Sequence, residues 1–277
     1  MSRMRTRLAH LHRRHGLHVG LIVLALLVLA LSIALAVSIG EIRIPFLTTL
    51  KAMGNALGIS DYPLNRIHES IIRDYRLSRA LVAACCGAGL ALCGAILQAL
   101  LRNPLAEPYV LGISAGASTG AVAVMVLNVA GGAVSLSAGA FLGAMAAFGM
   151  VILLCSGASS RPNRIILAGV AGSQLFNALT AWIISTSASA EQVRGIMFWL
   201  LGNLGGVRWP EVTLALVVVT IGFVICLLFA RALDAFTFGQ DAAAALGIPV
   251  RTVRLILFGV TAPVSYTHLT LPTICSV

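Results

Sequence analysis

Several stretches of this chain carry no charged residue for as long as a bilayer is thick. Val19–Ile39 runs 21 residues without one, Ala80–Leu101 runs 22, and Pro108–Ser160 runs 53. Ile165–Ala190 and Val212–Ala230 are equally free of charge. A helix needs about 20 apolar residues to cross the hydrocarbon core. The longest stretch has room for two crossings, with Asn128 and Gly131–Gly132 marking the turn between them. A further span begins near Val253. The expected fold is therefore all-α, a polytopic transmembrane bundle of about seven spans. Composition agrees, since 59% of residues are hydrophobic and 10% charged, against about 45–50% and 25% in soluble domains. That balance excludes a cytosolic enzyme, a secreted domain and a disordered chain. The first run is too long for a signal-peptide core and is followed by more spans, so it reads as a true first span.

The charge is +10, from 19 basic and 9 acidic residues. The basic residues sit in the gaps between apolar runs rather than in one stripe, so the excess reads as membrane topology and not as nucleic-acid binding. With the tail Arg3, Arg5, Arg7, Arg13 and Arg14 in the cytoplasm, alternating spans put 11 basic and 3 acidic residues inside, and 8 and 6 outside. This favours a cytoplasmic N-terminus. The expected organisation is a basic cytoplasmic tail at 1–18 and a transmembrane domain at 19–262. Within that domain lie an external loop at 40–79 and a cytoplasmic loop at 231–252, and a separate tail follows at 263–277. Five of the six cysteines fall inside apolar runs with no CxxC spacing, which reads as packing rather than metal binding. No metal or other cofactor is expected.

The chain has one lysine, Lys51, and no glycine-rich turn precedes it. A phosphate-binding loop needs both, so this chain is not expected to hydrolyse ATP. No HExxH, GxSxG or paired carboxylates lie within a span, and the absence of charge there weighs against a proton-coupled carrier. Gly112, Gly116 and Gly120 are spaced at four, as are Gly139 and Gly143, which lets helix backbones approach closely in lipid. Four segments stand out. Arg76-Leu77-Ser78-Arg79 lies at the external mouth of the second span, where two cations either anchor the helix end or dock an acidic partner. Asn103-Pro104-Leu105-Ala106-Glu107-Pro108 makes a stiff connection between spans two and three. Gln240–Leu246 reads as a short helix with Gly247 as its stop and Pro249 beyond, either a surface helix or a docking helix. Ser173, Asn177 and Thr180, with Gln174 near them, share one face of span five. That face serves interhelical hydrogen bonds or a polar path.

Together these segments resemble the FecCD-type permeases of bacterial ABC importers. The similarity is carried by Arg76–Arg79, Gly94–Leu100 (GAILQAL), Asn103–Gly116 (NPLAEPYVLGISAG, with Gly112, Ser114 and Gly116), Leu167–Val170, Phe198–Gly202 through Trp209, and Gly239, Ala243, Leu246 and Gly247. The resemblance implies a bacterial inner-membrane permease, itself without catalytic residues. It would work as a homo- or heterodimer of roughly ten-span subunits, with a separate cytoplasmic ATP-binding subunit and a periplasmic binding protein as partners and lipid around it. Arg76 and Arg79 would then meet acidic residues of the binding protein. Gly239, Gln240, Asp241, Ala243, Leu246 and Gly247 would form the helix seated in the ATPase, and Ser173, Asn177 and Thr180 would line part of the path. Ser78 stands where the family has proline, implying a less rigid junction. The family's use implies an iron(III)–siderophore cargo, with vitamin B12 or haem as the alternative; a stand-alone secondary carrier is the rival class. After Gly259 the sequence departs from the family pattern, so the reading expects a truncated frame with a foreign tail from about Pro263.

Overall fold

The computed structural model describes the backbone of residues 2–127, 136–155, 162–202 and 204–270. It describes side chains in that range other than 2–15, 18, 110, 111, 137, 162, 163 and 262–270. The expected turn at Asn128 and Gly131–Gly132 lies outside the described residues. Every regular element among the described residues is helical. The chain divides into two compact units, Met1–Leu81 and Val82–Val277.

The first unit contains α1 (Ser2–Ser38), α2 (Phe46–Ala56), α3 (Arg66–Ser70) and a π-helical segment, Ile71–Leu77. The expected basic tail at 1–18 is thus the start of α1, because its Arg, Leu, His and Ala residues favour helix and no proline interrupts them. The expected external loop at 40–79 is also largely helical. α2 buries Thr49 and Ala52, one turn apart. It ends where Gly58 takes a left-handed φ of 71°. There Ile59 N–H donates to Gly54 O and Gly58 N–H to Asn55 O, the paired bonds that close a helix through glycine. The Asn55 side chain holds the returning strand, donating to Tyr62 O and accepting from Tyr62 N–H, both at 2.9 Å. Asn65 caps α3 by accepting from Ile67 N–H. Val37, Ile44, Ala52, Ile72 and Leu77 form the buried interior of this unit.

α4 (Ser78–Leu101) continues from the π-helical segment without a break, so the second span lies within a 36-residue helix, Arg66–Leu101. The second unit adds α5 (Ile113–Leu127), α6 (Leu136–Cys155), α7 (Pro162–Ser187), α8 (Ala190–Leu200), α9 (Trp209–Leu228), α10 (Ala230–Thr237), α11 (Gln240–Ala245) and α12 (Val250–Thr270). Among the described residues, five helices are long and apolar enough to cross a membrane: Val19–Ser38, Arg66–Leu101, Ala138–Cys155, Arg164–Ser187 and Trp209–Leu228. α5 is equally apolar but has 15 residues. α12 has 21 and runs through Pro263 to Thr270, past the point where the sequence reading expects family-like structure to end. One proline removes one backbone donor, which membrane helices tolerate. Large apolar side chains such as Leu24, Leu153, Leu167 and Leu228 are exposed along these helices, as a lipid solvent requires.

The contact between α5 and α6 is made mostly of small residues. Ala115, Ala117 and Ala121 of α5 are buried, as are Ala140, Ala144 and Ala147 of α6. Glycine brings the two backbones together. A Cβ on Gly116 would collide with Gly143 O, and one on Gly143 with Gly116 O. One helical turn along, a Cβ on Gly120 would collide with Gly139 O. Those collisions are with backbone, which cannot swing aside. Gly143→Ala or Gly120→Ala is therefore expected to destabilise the folded bundle by about 1–3 kcal/mol, whereas Gly149→Ala, with nothing within 4 Å, should be neutral. Thermal unfolding of the three variants in detergent checks this ordering.

Candidate functional site

α4 ends in an unusual way. Arg102 takes a φ of 49°, a left-handed conformation that stops the helix at Leu101. Asn103 then folds the connection on itself: its Oδ1 accepts from Leu105 N–H at 3.0 Å and its carbonyl accepts from Ala106 N–H. Ala106 is buried, while Leu105 and Glu107 face outward. The motif segments Gly94–Leu100 and Asn103–Pro108 meet here. Leu90, Ala91, Gly94, Ala95 and Gln98 on α4 and Ala106–Pro108 line one open cleft of about 470 Å³, placing the polar groups of Gln98 and Glu107 on its wall.

A 3-10 turn, Pro108–Leu111, leads to Gly112, whose φ of 70° only glycine adopts at low cost. Gly112 also lies against α7, since a Cβ there would fall 3.0 Å from both Gly169 O and Ser173 Oγ. Ser173 donates to Gly169 O at 2.9 Å. Deeper in the contact, Thr119 Oγ1 lies 2.7 Å from Thr180 Oγ1, 2.8 Å from Phe176 O and 2.9 Å from Ala115 O. Thr119 has one proton to share among these acceptors, and either hydroxyl can donate in the bond between the two threonines. The face predicted on α7 is thus divided. Ser173 and Thr180 join α7 to α5, while Asn177 and Gln174 lie exposed at the edge of that contact. At the other end of α7, Ser189 and Gln192 form a reciprocal capping box that starts α8, and Gln192 Nε2 donates to Met125 O of α5. α8 has no counterpart among the spans and segments expected from the sequence.

The short helix expected over Gln240–Leu246 forms over Gln240–Ala245. Gly239, at φ 113° and ψ 163°, turns the chain between α10 and α11. α11 closes at Gly247, φ 80°, where Ile248 N–H donates to Ala243 O and Gly247 N–H to Ala244 O. One side of this segment is anchored. Ala232, Ala235, Phe236 and Ala243 are buried in the cluster that also contains Leu100, Leu101, Ala106 and Leu257. Gly239 is buried against the end of α4, with Arg102 Nη1 3.2 Å from where its Cβ would stand. The other side is bare: Asp241, Ala244, Ala245 and Gly247 are exposed, and so are Leu246 at 73% and Phe238 at 80%. Phe238 is absent from the sequence-based set. Its signal is an aromatic residue directly before a helix-starting glycine, on a segment too short to bury it.

At the Ser78 end of α4, Arg76 and Arg79 are both half-buried. Arg76 Nη1 donates to Val37 O at 3.3 Å and Ser38 O at 3.2 Å, and Nη2 donates to Ile42 O. Ser78 is fully buried, and its hydroxyl reaches Asp74 O at 2.9 Å and Tyr75 O at 3.2 Å. Tyr75 O also accepts from the Ser78 backbone N–H at the end of the π-helical turn. The serine hydroxyl makes contacts here that a proline side chain could not. Among the described residues, no group of three or more His, Cys, Asp or Glu could hold a metal.

The model of the FecCD transport family matches residues 26–269. The chain belongs to this family. It is 37% identical over 191 residues to the cobalamin import system permease protein BtuC of Halobacterium salinarum, covering 68% of this chain and 51% of that protein. It is 30% identical over 236 residues to the Fe(3+) dicitrate transport system permease protein FecD of Escherichia coli, covering 85% of this chain and 70% of the relative. The chain thus spans about half of the first relative's length and somewhat more of the second's. Among solved structures, it is similar to a chain described as a metal-chelate-type ABC transporter in an inward-facing conformation. The TM-score is 0.69 at 25% identity, covering 83% of this chain and 75% of that one. The family and the exposed apolar helices make this a multi-pass membrane protein.

The hydroxyl cluster gives a direct test of the α5–α7 contact. Thr119→Val removes the hydroxyl that sits among Ala115 O, Phe176 O and Thr180 Oγ1, whereas Thr180→Val removes only the contact between the two hydroxyls. Thr119→Val is expected to cost about 1–3 kcal/mol, the larger of the two losses, as read by thermal unfolding of each variant in detergent.

Proposed function

We propose that this chain is the membrane-spanning permease subunit of a binding-protein-dependent ABC importer in a bacterial inner membrane, with its N-terminus in the cytoplasm. The observation that carries the reading is the α10–α11 segment. One face is fixed to the bundle by Phe236 and Ala243, and the other presents Phe238 and Leu246 with no apolar neighbour to cover them. A short, firmly anchored helix with exposed apolar side chains suits the groove of a cytoplasmic ATP-binding subunit. That subunit hydrolyses ATP, and this chain contributes no catalytic group. Nucleotide binding shifts the population of outward- and inward-open states through this contact.

The path runs along the exposed edge of α7. Asn177 and Gln174 lie within the span yet outside the α5–α7 contact. Hydrocarbon leaves such amides without hydrogen-bond partners, so they face water or a second permease subunit that completes the path. A periplasmic binding protein delivers the cargo to the opposite side, near Arg76 and Arg79. The cargo is an iron(III)–siderophore chelate. Cobalamin is the second reading, favoured by the haloarchaeal relative's name.

The permease co-expressed with the ATP-binding and binding-protein subunits encoded with it, and reconstituted in liposomes, tests both parts. Phe238→Asp with Leu246→Asp should weaken ATPase capture by about thirtyfold, the scale of about 2 kcal/mol at an interface hot spot, and should abolish ATP-driven uptake. Thermal stability of the variant should stay unchanged. Retained capture and uptake would refute the docking role. Uptake of labelled cobalamin in preference to labelled iron chelate would reverse the cargo assignment.

A further inference from the structure

α2 has three sides of different chemistry. Thr49 and Ala52 are buried, and α2 packs against α1 and the π-helical segment Ile71–Leu77. At 3.6 residues per turn, Thr48, Lys51 and Asn55 fall together on a second, polar side. Phe46, Leu47 and Leu50, with Leu57 just past the helix end, share the third. That side is apolar and bare: Leu47 is 65% exposed and Leu57 54%, and Ile59 in the following turn is 79% exposed. The apolar and polar sides flank the packed one, so a helix held against the bundle offers apolar surface in one direction and polar groups in the other.

Lipid is the occupant that this arrangement fits. The apolar side continues a surface already turned to hydrocarbon. Leu27, Leu31 and Leu35 of α1 are exposed along its span, and Ile39 and Ile42 carry exposed apolar surface into the turn that leads to α2. α2 has 11 residues, and at 1.5 Å per residue it is about half as long as a crossing requires. It therefore lies along the membrane boundary rather than through it. The rim agrees. Lys51, four residues after Leu47, places its ammonium 5.3 Å from the centre of the Tyr62 ring. A lysine stem laid on apolar surface with its charge at head-group level, beside a partly exposed tyrosine, is what the membrane–water interface favours. Residues 40–79 also carry six basic and four acidic side chains, an excess that suits anionic lipid.

We propose that α2 is an interfacial helix. It embeds Phe46, Leu47, Leu50 and Leu57 in the leaflet at the Ser38 end of α1 and holds Lys51 and Tyr62 at the level of the phosphates. The assignment rests on the chain being a membrane protein, and not on its cargo, its ATPase or its binding protein.

Depth measured by spin labelling tests it. The full chain carries p-acetylphenylalanine, one site at a time, at position 47, 50 or 57, and a ketone-reactive nitroxide is attached, so the native cysteines stay in place. The protein is reconstituted alone in liposomes of phosphatidylethanolamine and phosphatidylglycerol. Collision of each label with oxygen, which concentrates in lipid, is compared with collision with a water-soluble nickel chelate. Position 24, in the middle of α1, calibrates the hydrocarbon, and position 61, an exposed aspartate, calibrates water. Labels at 47, 50 and 57 should favour oxygen over nickel and lie about 5–10 Å below the phosphates, the depth of an amphipathic helix in the interface. Ratios matching position 61 would overturn the proposal, because the apolar side would then stand in water until a protein covered it. Ratios matching position 24 would also overturn it, because the helix would then be immersed. All three labelled positions are exposed, so if one variant fails to fold the other two decide. No readout depends on transport, so this assignment and the importer reading can fail separately.

Discussion

Helices in lipid gain nothing from hiding apolar side chains from one another, because the solvent is as apolar as they are. What holds such a bundle together is close approach and the dispersion contacts that follow from it. In this protein that approach is made by Gly116 and Gly120 on α5 against Gly143 and Gly139 on α6, with alanines filling the turns between. The other contacts of the second unit are arranged around this pair. α7 joins α5 through the Thr119–Thr180 hydroxyls and the Gly112–Ser173 approach, and α12 packs across α5, α6 and α9.

Every helix end leaves carbonyls or amides without an intrahelical partner. The chain meets this with local devices. Gly58 and Gly247 close helices through left-handed turns, Asn65 and Ser189 open them, Asn103 folds a connector on its own amide, and Ser78 supplies a hydroxyl to the widened π-helical turn. Arg76 does the same from a distance of more than thirty residues along the chain. These devices leave some surface unsatisfied: the apolar tip of the α10–α11 segment, and the amides of Asn177 and Gln174. Those are the places that point to partners.

Much of this was legible in the sequence, and the physical reason differs by element. Long charge-free runs have a single meaning in water, so the spans could be placed from Val19–Ile39 and Ala80–Leu101 alone. Gly239 and Gly247 bracket four alanines, and glycine at such positions leaves little choice, so α11 could be read to within a residue. The stretch 40–79 reads as a loop because its helices are short and mixed in polarity, and α2 is held by burying Thr49 and Ala52 in a tertiary contact. α8 was missed for a similar reason: its capping box at Ser189 is a local signal, but its apolar face makes sense only against α5. Spacing alone places Ser173, Asn177 and Thr180 on one helical face, yet it does not show that Thr180 is buried against Thr119 while Asn177 is exposed. Nor could any pattern show that Arg76 folds back on α1, because its partners are backbone carbonyls, which have no identity in a sequence.

An interface made of backbone has no rotamers to rearrange. Where leucines interdigitate, two helices can exchange one set of side-chain packings for another and slide past each other. At Gly116, Gly120, Gly139 and Gly143 there is nothing to exchange, and a shift along either axis drives carbonyl oxygens into Cα atoms. α5 and α6 therefore behave as one rigid strut. Bending in this unit must fall on the joints around it, and the chain marks these with positive φ angles at Arg102, Gly112, Gly202 and Gly239.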